Sequence, residues 1–154
     1  MPVELDATDR RILRIMQDDG SLTNAEIAER AALSPSPCWR RIQRLRDLGV
    51  IAKQVVLLDR TKVGLNAQIF AQVRLNGKGR ENIEEFSAAI QKFPEVLDCY
   101  VTLGSTDFIL RIVAEDINAY ERFFFDQLSR VPGIQEINSM VALSEIKSTT
   151  ALPL

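Results

Sequence analysis

The feature that most constrains this chain is a change in the period of its apolar residues. Through Leu48 they recur at helical spacing. From Ala67 they recur every second residue, with Ile69, Ala71, Val73 and Leu75 on one face and Gln68, Phe70, Gln72 and Arg74 on the other. A segment patterned for one period turns apolar side chains to water when forced into the other. The chain therefore divides into a helical part and a mixed part. Between them Asp59-Arg-Thr-Lys-Val-Gly64 is polar and carries a glycine, which puts the boundary near residues 60–66. The reading is an α+β chain with domains at 1–60 and 61–154.

In the helical part, Asp6 and Asp9 suit the positive end of a helix dipole, Ile12, Leu13 and Met16 follow at helical spacing, and Gly20 stops the element. A second helix starts at Thr23, with Glu26 completing a capping box, and its predicted inner side is Ile27, Ala28 and Ala31. A third begins almost at once, with Ser34 as the expected cap and Pro35 and Pro37 in its first turn. It runs to Leu48, where Gly49 is placed as the stop. Cys38, Ile42 and Leu45 form its apolar stripe. Ser36, Arg40, Gln43, Arg44 and Asp47 project from the opposite side, with Trp39 and Arg46 on one flank. Three short helices, the last two joined by a tight turn, match the helix-turn-helix pattern. Val50-Ile51 and Val55–Leu58 read as extended linker segments.

A formal net charge of −2 argues at first against nucleic acid, but the charge is unevenly spread. Between Arg30 and Arg60 there are seven basic residues against Asp47 and Asp59, and phosphates respond to local charge because attraction is screened beyond about 8–10 Å. Arginine suits phosphates and the O6/N7 edge of guanine, and glutamine pairs with adenine. Ser36, Trp39, Arg40 and Gln43 are the candidate groove contacts. Arg44 and Arg46 are read as backbone contacts, with Arg41 reaching from the edge of the core stripe, and Ser34 with the N–H groups of the helix start completes the phosphate set. For Trp39, partial core packing weighs equally. The bland alternative is a solvated amphipathic helix in an ordinary bundle; the tandem capped helices, tight turn and basic island together outweigh it.

Other classes are excluded by missing parts. The chain has no histidine, which removes Ser-His-Asp and Cys-His catalysis and most zinc and iron sites. No motif points to an enzyme, a metal or a cofactor. Cys38 and Cys99 lie far apart and read as two reduced, buried thiols. The polar, acidic stretch Met1–Arg11 lacks the apolar core of a secretory signal, and no run approaches the roughly 18 apolar residues of a membrane span, so a cytoplasmic protein is expected.

The second part reads as a strand from Ala67, a helix marked by Ile83, Phe86, Ile90 and Phe93, strands at Val96–Leu103 and Phe108–Ala114, a helix at Asn118–Arg130 and a last strand from Ile134 to about Lys147. The order β-α-β-β-α-β is the ferredoxin-like arrangement. Both helices fall on one side of its sheet. The middle strands are apolar on both faces, so a second copy packed on the bare side is expected, giving a homodimer matched to a two-fold symmetric operator.

The chain resembles the Lrp/AsnC family of bacterial and archaeal regulators along nearly its whole length. The matching stretches are Leu5-Asp-x-x-Asp9-x-x-Ile12-Leu13, Gln17-x-Asp19-Gly20, Leu33-Ser-Pro-Ser-Pro-Cys38 with Arg41, Ile42, Leu45 and Leu48-Gly-Val-Ile51, then Gly104-x-x-Asp107 and Val131-Pro-Gly133. The resemblance implies a winged helix-turn-helix binding double-stranded DNA, a C-terminal domain sensing an amino acid, and dimers assembling into octamers. It makes Gly104, Ser105, Thr106 and Asp107, in the turn joining the second and third strands, the expected effector contacts. Turn N–H groups suit an α-carboxylate and Asp107 an α-ammonium. Thr149 and Thr150 are added from a neighbouring subunit. Thr106 stands where the family often has an aromatic residue, so leucine is not assumed as effector. An ordinary hairpin turn is the competing reading of Gly104–Asp107. The function expected is a sequence-specific transcription regulator; the alternatives are an architectural DNA-compacting protein, and a metabolite-binding module or enzyme with a helical interaction surface.

Overall fold

The computed structural model describes residues 3–77 and 79–154. Its chain forms two compact units, one running through Leu57 and including Lys147–Leu154, the other Leu58–Ile146. The segment Lys147–Leu154, read from the sequence as part of the second domain, lies with the helices. There Arg14 Nε donates to the Leu154 carbonyl at 2.7 Å, and Gln17 and Leu152 exchange hydrogen bonds of 3.1 and 2.6 Å.

In the first unit α1 is Ala7–Asp18, α2 is Asn24–Arg30 and α3 is Pro35–Asp47. Two capping boxes start the first two helices. The Asp9 N–H donates to Asp6 Oδ1 at 2.7 Å and the Asp6 N–H to Asp9 Oδ2 at 3.2 Å; Thr23 and Glu26 reciprocate in the same way. Ile12, Ile27, Ala28, Ala31, Cys38 and Ile42 form the buried cluster, where small residues on α2 let the helices approach closely. The turn from α2 to α3 closes through Leu33 N–H to the Ala28 carbonyl (2.9 Å) and Ala32 N–H to the Glu29 carbonyl (3.0 Å). This needs a left-handed residue at Ala32 (φ 54°), where glycine is the usual choice. The end of α3 repeats the motif with Gly49 at φ 70°, as its sequence predicts.

Ser34 departs from expectation. It occupies the cap position of α3, but its hydroxyl accepts no capping hydrogen bond. The reason is local: Pro35 and Pro37 take the first and third helical positions and carry no N–H. The same prolines leave the Ser36 N–H as the single uncommitted amide of the first turn, since the Cys38 N–H bonds to the Ser34 carbonyl. The expected cluster of free N–H groups at the helix start is therefore not there.

The second unit holds β1 (Ala67–Leu75), α4 (Arg80–Ile90), β2 (Val96–Val101), β3 (Phe108–Ala114), α5 (Ile117–Asp126) and β4 (Ile134–Val141) in an antiparallel sheet of order β2-β3-β1-β4. This is the ferredoxin-like arrangement. Alternate residues of β1 and β3 pack with Phe86, Ile90, Tyr120, Phe123 and Leu128 in one core. The sequence reading ran long at α5, which gives way to a 3₁₀ turn at Leu128–Arg130, and at β2 and β4.

Three further expectations are corrected. Val55–Leu58, read as an extended linker strand, pairs with no strand among the described residues, and its four side chains are exposed. The open side of the sheet is not purely apolar: antiparallel register sets Asp98 opposite Arg111 and Arg74 opposite Glu136, each an ion pair, among Tyr100, Ile109, Phe70 and Met140. Cys38 is buried, but Cys99 on the edge strand β2 is exposed. Among the described residues no helix is long and apolar enough to cross a membrane.

Candidate nucleic-acid interface and ligand cavity

The faces of α3 follow from helical spacing and what each meets. Cys38, Ile42 and Leu45 are fully buried. One row over, Arg41 and Arg44 turn toward the start of α1. Arg41 Nη1 donates to Asp6 Oδ2 at 2.7 Å and Asp9 Oδ1 at 2.9 Å, while Arg44 Nη2 donates to Asp9 Oδ2 at 2.6 Å. Asp9 is 1% exposed, so α1 contributes a buried carboxylate shared by two guanidinium groups. The Asp9 N–H and the Arg41 guanidinium together hold the Asp6 carboxyl below its ordinary value of 3.8, and Asp6, then Asp9, raise the pKa of Arg41.

The remaining face carries the other sequence-derived candidates. Ser34, Ser36, Arg40 and Arg46 are exposed and Gln43 is half-buried. Trp39 is 49% exposed and outside the buried cluster. Among the described residues the guanidinium groups of Arg40 and Arg46 have no hydrogen-bond or ion-pair partner. The basic set thus splits into committed arginines (Arg41, Arg44) and uncommitted ones (Arg40, Arg46). Sequence reasoning missed this because the committing partners lie 32 and 35 residues away.

In the second unit a cavity of about 210 Å³ opens beside the β2–β3 turn. Leu75, Gly77, Ile83, Val101, Thr102, Leu103, Gly104 and Asp107 line it. Of the turn residues read from the sequence, Gly104 and Asp107 reach the cavity, whereas Ser105 and Thr106 serve the turn itself. The Ser105 carbonyl accepts from Arg74 Nη2 (2.7 Å) and Nε (3.2 Å), and the Thr106 carbonyl from Thr102 Oγ1 (2.7 Å). Asp107 Oδ2 accepts the Leu75 N–H at 2.8 Å, tying the turn to the end of β1. Among the described residues no acceptor meets the backbone N–H groups of Gly104, Ser105 and Thr106. The walls at Leu75, Ile83, Val101 and Leu103 were absent from the sequence reading, since three separate elements supply them. Thr149 and Thr150 belong to the helical unit, not to the unit holding the turn.

Residues 68–152 match the Lrp/AsnC ligand binding domain and residues 5–52 the winged helix-turn-helix DNA-binding domain. The chain is 36% identical to the transcriptional regulator AzlB of Bacillus subtilis, with 100% of this chain and 98% of that protein aligned. It is 33% identical to the leucine-responsive regulatory protein of Salmonella typhimurium over 97% of this chain and 91% of that protein. Its fold superposes on a transcriptional regulator from Neisseria meningitidis solved in complex with L-Met, with a TM-score of 0.93 and 43% identity over 97% of both chains. An AsnC family regulator from Agrobacterium tumefaciens superposes with a TM-score of 0.92 and 40% identity, again over 97% of both.

Proposed function

Because the chain belongs to the Lrp/AsnC family of DNA-binding transcription regulators, we propose that it is a sequence-specific operator-binding protein of the cytoplasm whose assembly and DNA affinity respond to an amino acid. The observation that carries the DNA part is the outward row of exposed Ser36 and Arg40 and half-buried Gln43 on a helix anchored by a fully buried stripe. These residues, with Trp39, face base edges in the major groove, while Ser34 and Arg46 meet phosphates. The open side of the sheet joins two copies so that two α3 helices present themselves to a two-fold symmetric site, and dimers assemble further into octamers.

The cavity supports the effector part. At about 210 Å³ it lies below the roughly 300–1,000 Å³ of sites for larger ligands, which suits a metabolite of amino-acid size. Asp107 pairs with the α-ammonium, the free N–H of Gly104 at the cavity receives the α-carboxylate, and Leu75, Ile83, Val101 and Leu103 enclose an aliphatic side chain. The L-Met complex of the Neisseria meningitidis relative favours this class of effector. Thr149 and Thr150 join such a site from a neighbouring copy.

Competition between an operator fragment and random duplex, at stated salt, tests the DNA part. Arg40→Ala is expected to weaken operator binding by about 10–100-fold, the loss of roughly 1–3 kcal/mol from one base-reading arginine, with circular dichroism unchanged. Equal affinity for operator and random DNA would overturn sequence-specific reading in favour of compaction.

A further inference from the structure

We propose that Asp9 is a positioning residue for DNA recognition: it withdraws Arg41 and Arg44 from the phosphate-binding set and fixes the rotation of α3, so that its outward row faces the duplex. This rests on α3 being the recognition helix. Both oxygens of Asp9 are taken, Oδ1 by Arg41 at 2.9 Å and Oδ2 by Arg44 at 2.6 Å and by the Asp6 N–H at 3.2 Å, on a side chain only 1% exposed. A buried carboxylate stripped of its cations is heavily penalised. Arg44 is turned toward α1 by its 2.6 Å contact with Asp9 Oδ2, so swinging it out to a phosphate loosens that pair, whereas the Arg46 guanidinium, having no partner among the described residues, gives up nothing on meeting DNA. Arg41 and Arg44 are three apart and lie on one stripe of α3. Two ion pairs to a single fixed carboxylate on α1 therefore act as a rotational stop, and a turn of one residue's worth about the axis, roughly 100°, would carry Arg40 out of the outward row. Asp6 and Asp9 also cancel the charge of Arg41 and Arg44 locally, so the basic island acts with fewer cations than its sequence lists.

The test is the slope of log K against log salt for full-length protein on operator and random duplexes, between about 50 and 200 mM, which falls by about 0.9 for each phosphate contact removed. Arg46→Gln is the reference and is expected to flatten the slope by about that amount. Arg41→Gln and Arg44→Gln are expected to leave it at the wild-type value. Asp9→Asn is expected to steepen it by about 0.9–1.8, as one or two released guanidinium groups reach phosphates, and to narrow the operator-to-random ratio. A flattening of about 0.9 in Arg41→Gln or Arg44→Gln, or an unchanged slope in Asp9→Asn, overturns the proposal. Each single arginine variant leaves Asp9 with its other arginine and so keeps the fold, and these two slopes decide alone if Asp9→Asn does not fold. Absence of DNA binding by the wild-type chain would instead remove the reading of α3 on which the proposal rests.

Discussion

Two carboxylates, Asp9 in the helical unit and Asp107 in the sheet unit, both stand in stretches that carry the family resemblance, yet the fold uses them in opposite ways. Asp9 is saturated: two arginines and a backbone N–H occupy its oxygens, and water hardly reaches it. Asp107 commits one oxygen to the Leu75 N–H and lines a cavity beside amides that have no acceptor. Saturation marks a group whose free energy is already spent on the fold. Partial saturation at a concave surface marks one whose charge is open to a ligand. The same distinction divides the arginines of α3, where Arg41 and Arg44 belong with Asp9 and Arg40 and Arg46 with the solvent-facing row.

The comparison is most exposed at Asp9. Asp9→Ala removes the shared partner of two guanidinium groups and one reciprocal cap bond, and urea titration is expected to show a loss of about 3 kcal/mol, at the low end for a broken buried pair because the arginines stay half-exposed. A loss below about 1 kcal/mol would mean that Asp9 is not saturated in any energetically useful sense. At Asp107 the expectation is inverted. Asp107→Asn keeps an oxygen for the Leu75 N–H and is expected to hold stability within about 1 kcal/mol, while calorimetric titration with a panel of amino acids shows about 10–100-fold weaker binding of whichever one the wild type takes. Unchanged affinity would remove Asp107 from the site.

The cap residues sharpen the rule on a smaller scale. Thr23 accepts the Glu26 N–H and Ser34 accepts none, so Thr23→Ala is expected to cost about 1 kcal/mol in thermal unfolding and Ser34→Ala close to nothing, although both look like caps in the sequence. The smallest effect is that of pH. Asp6 is held below its ordinary 3.8 by the Asp9 N–H and Arg41, and Glu26 below its ordinary 4.5 by Thr23. Groups lowered in the folded state contribute stability above their unfolded values and lose it as pH falls through the folded ones. The midpoint of unfolding should therefore hold from neutrality to about pH 5 and decline below the ordinary carboxylate values, modestly because both groups are exposed.

What was legible and what was not divides by range. The acidic helix start at Asp6 and Asp9, the capping box at Thr23/Glu26, the glycine stop at Gly49 and the two apolar periods each depend on residues within a turn or two of one another. Local geometry enforces such features wherever the segment sits. The overlooked left-handed turn at Ala32 carried no glycine to announce it, because the partly buried Leu33 and the packing of α2 on α3 hold that conformation.

By itself the order of amino acids determined the helices of the first unit, the ferredoxin-like succession of the second and the row of polar side chains along α3, since all of these follow from spacing that a chain carries with it. Only the tertiary structure decided which arginines are free, which oxygen of Asp107 is spoken for and which strands and helix wall the cavity. Those outcomes depend on partners some 30 residues distant, whose meeting is set by packing, and a charge written in the chain has no assigned role until its nearest opposite charge has been brought to it.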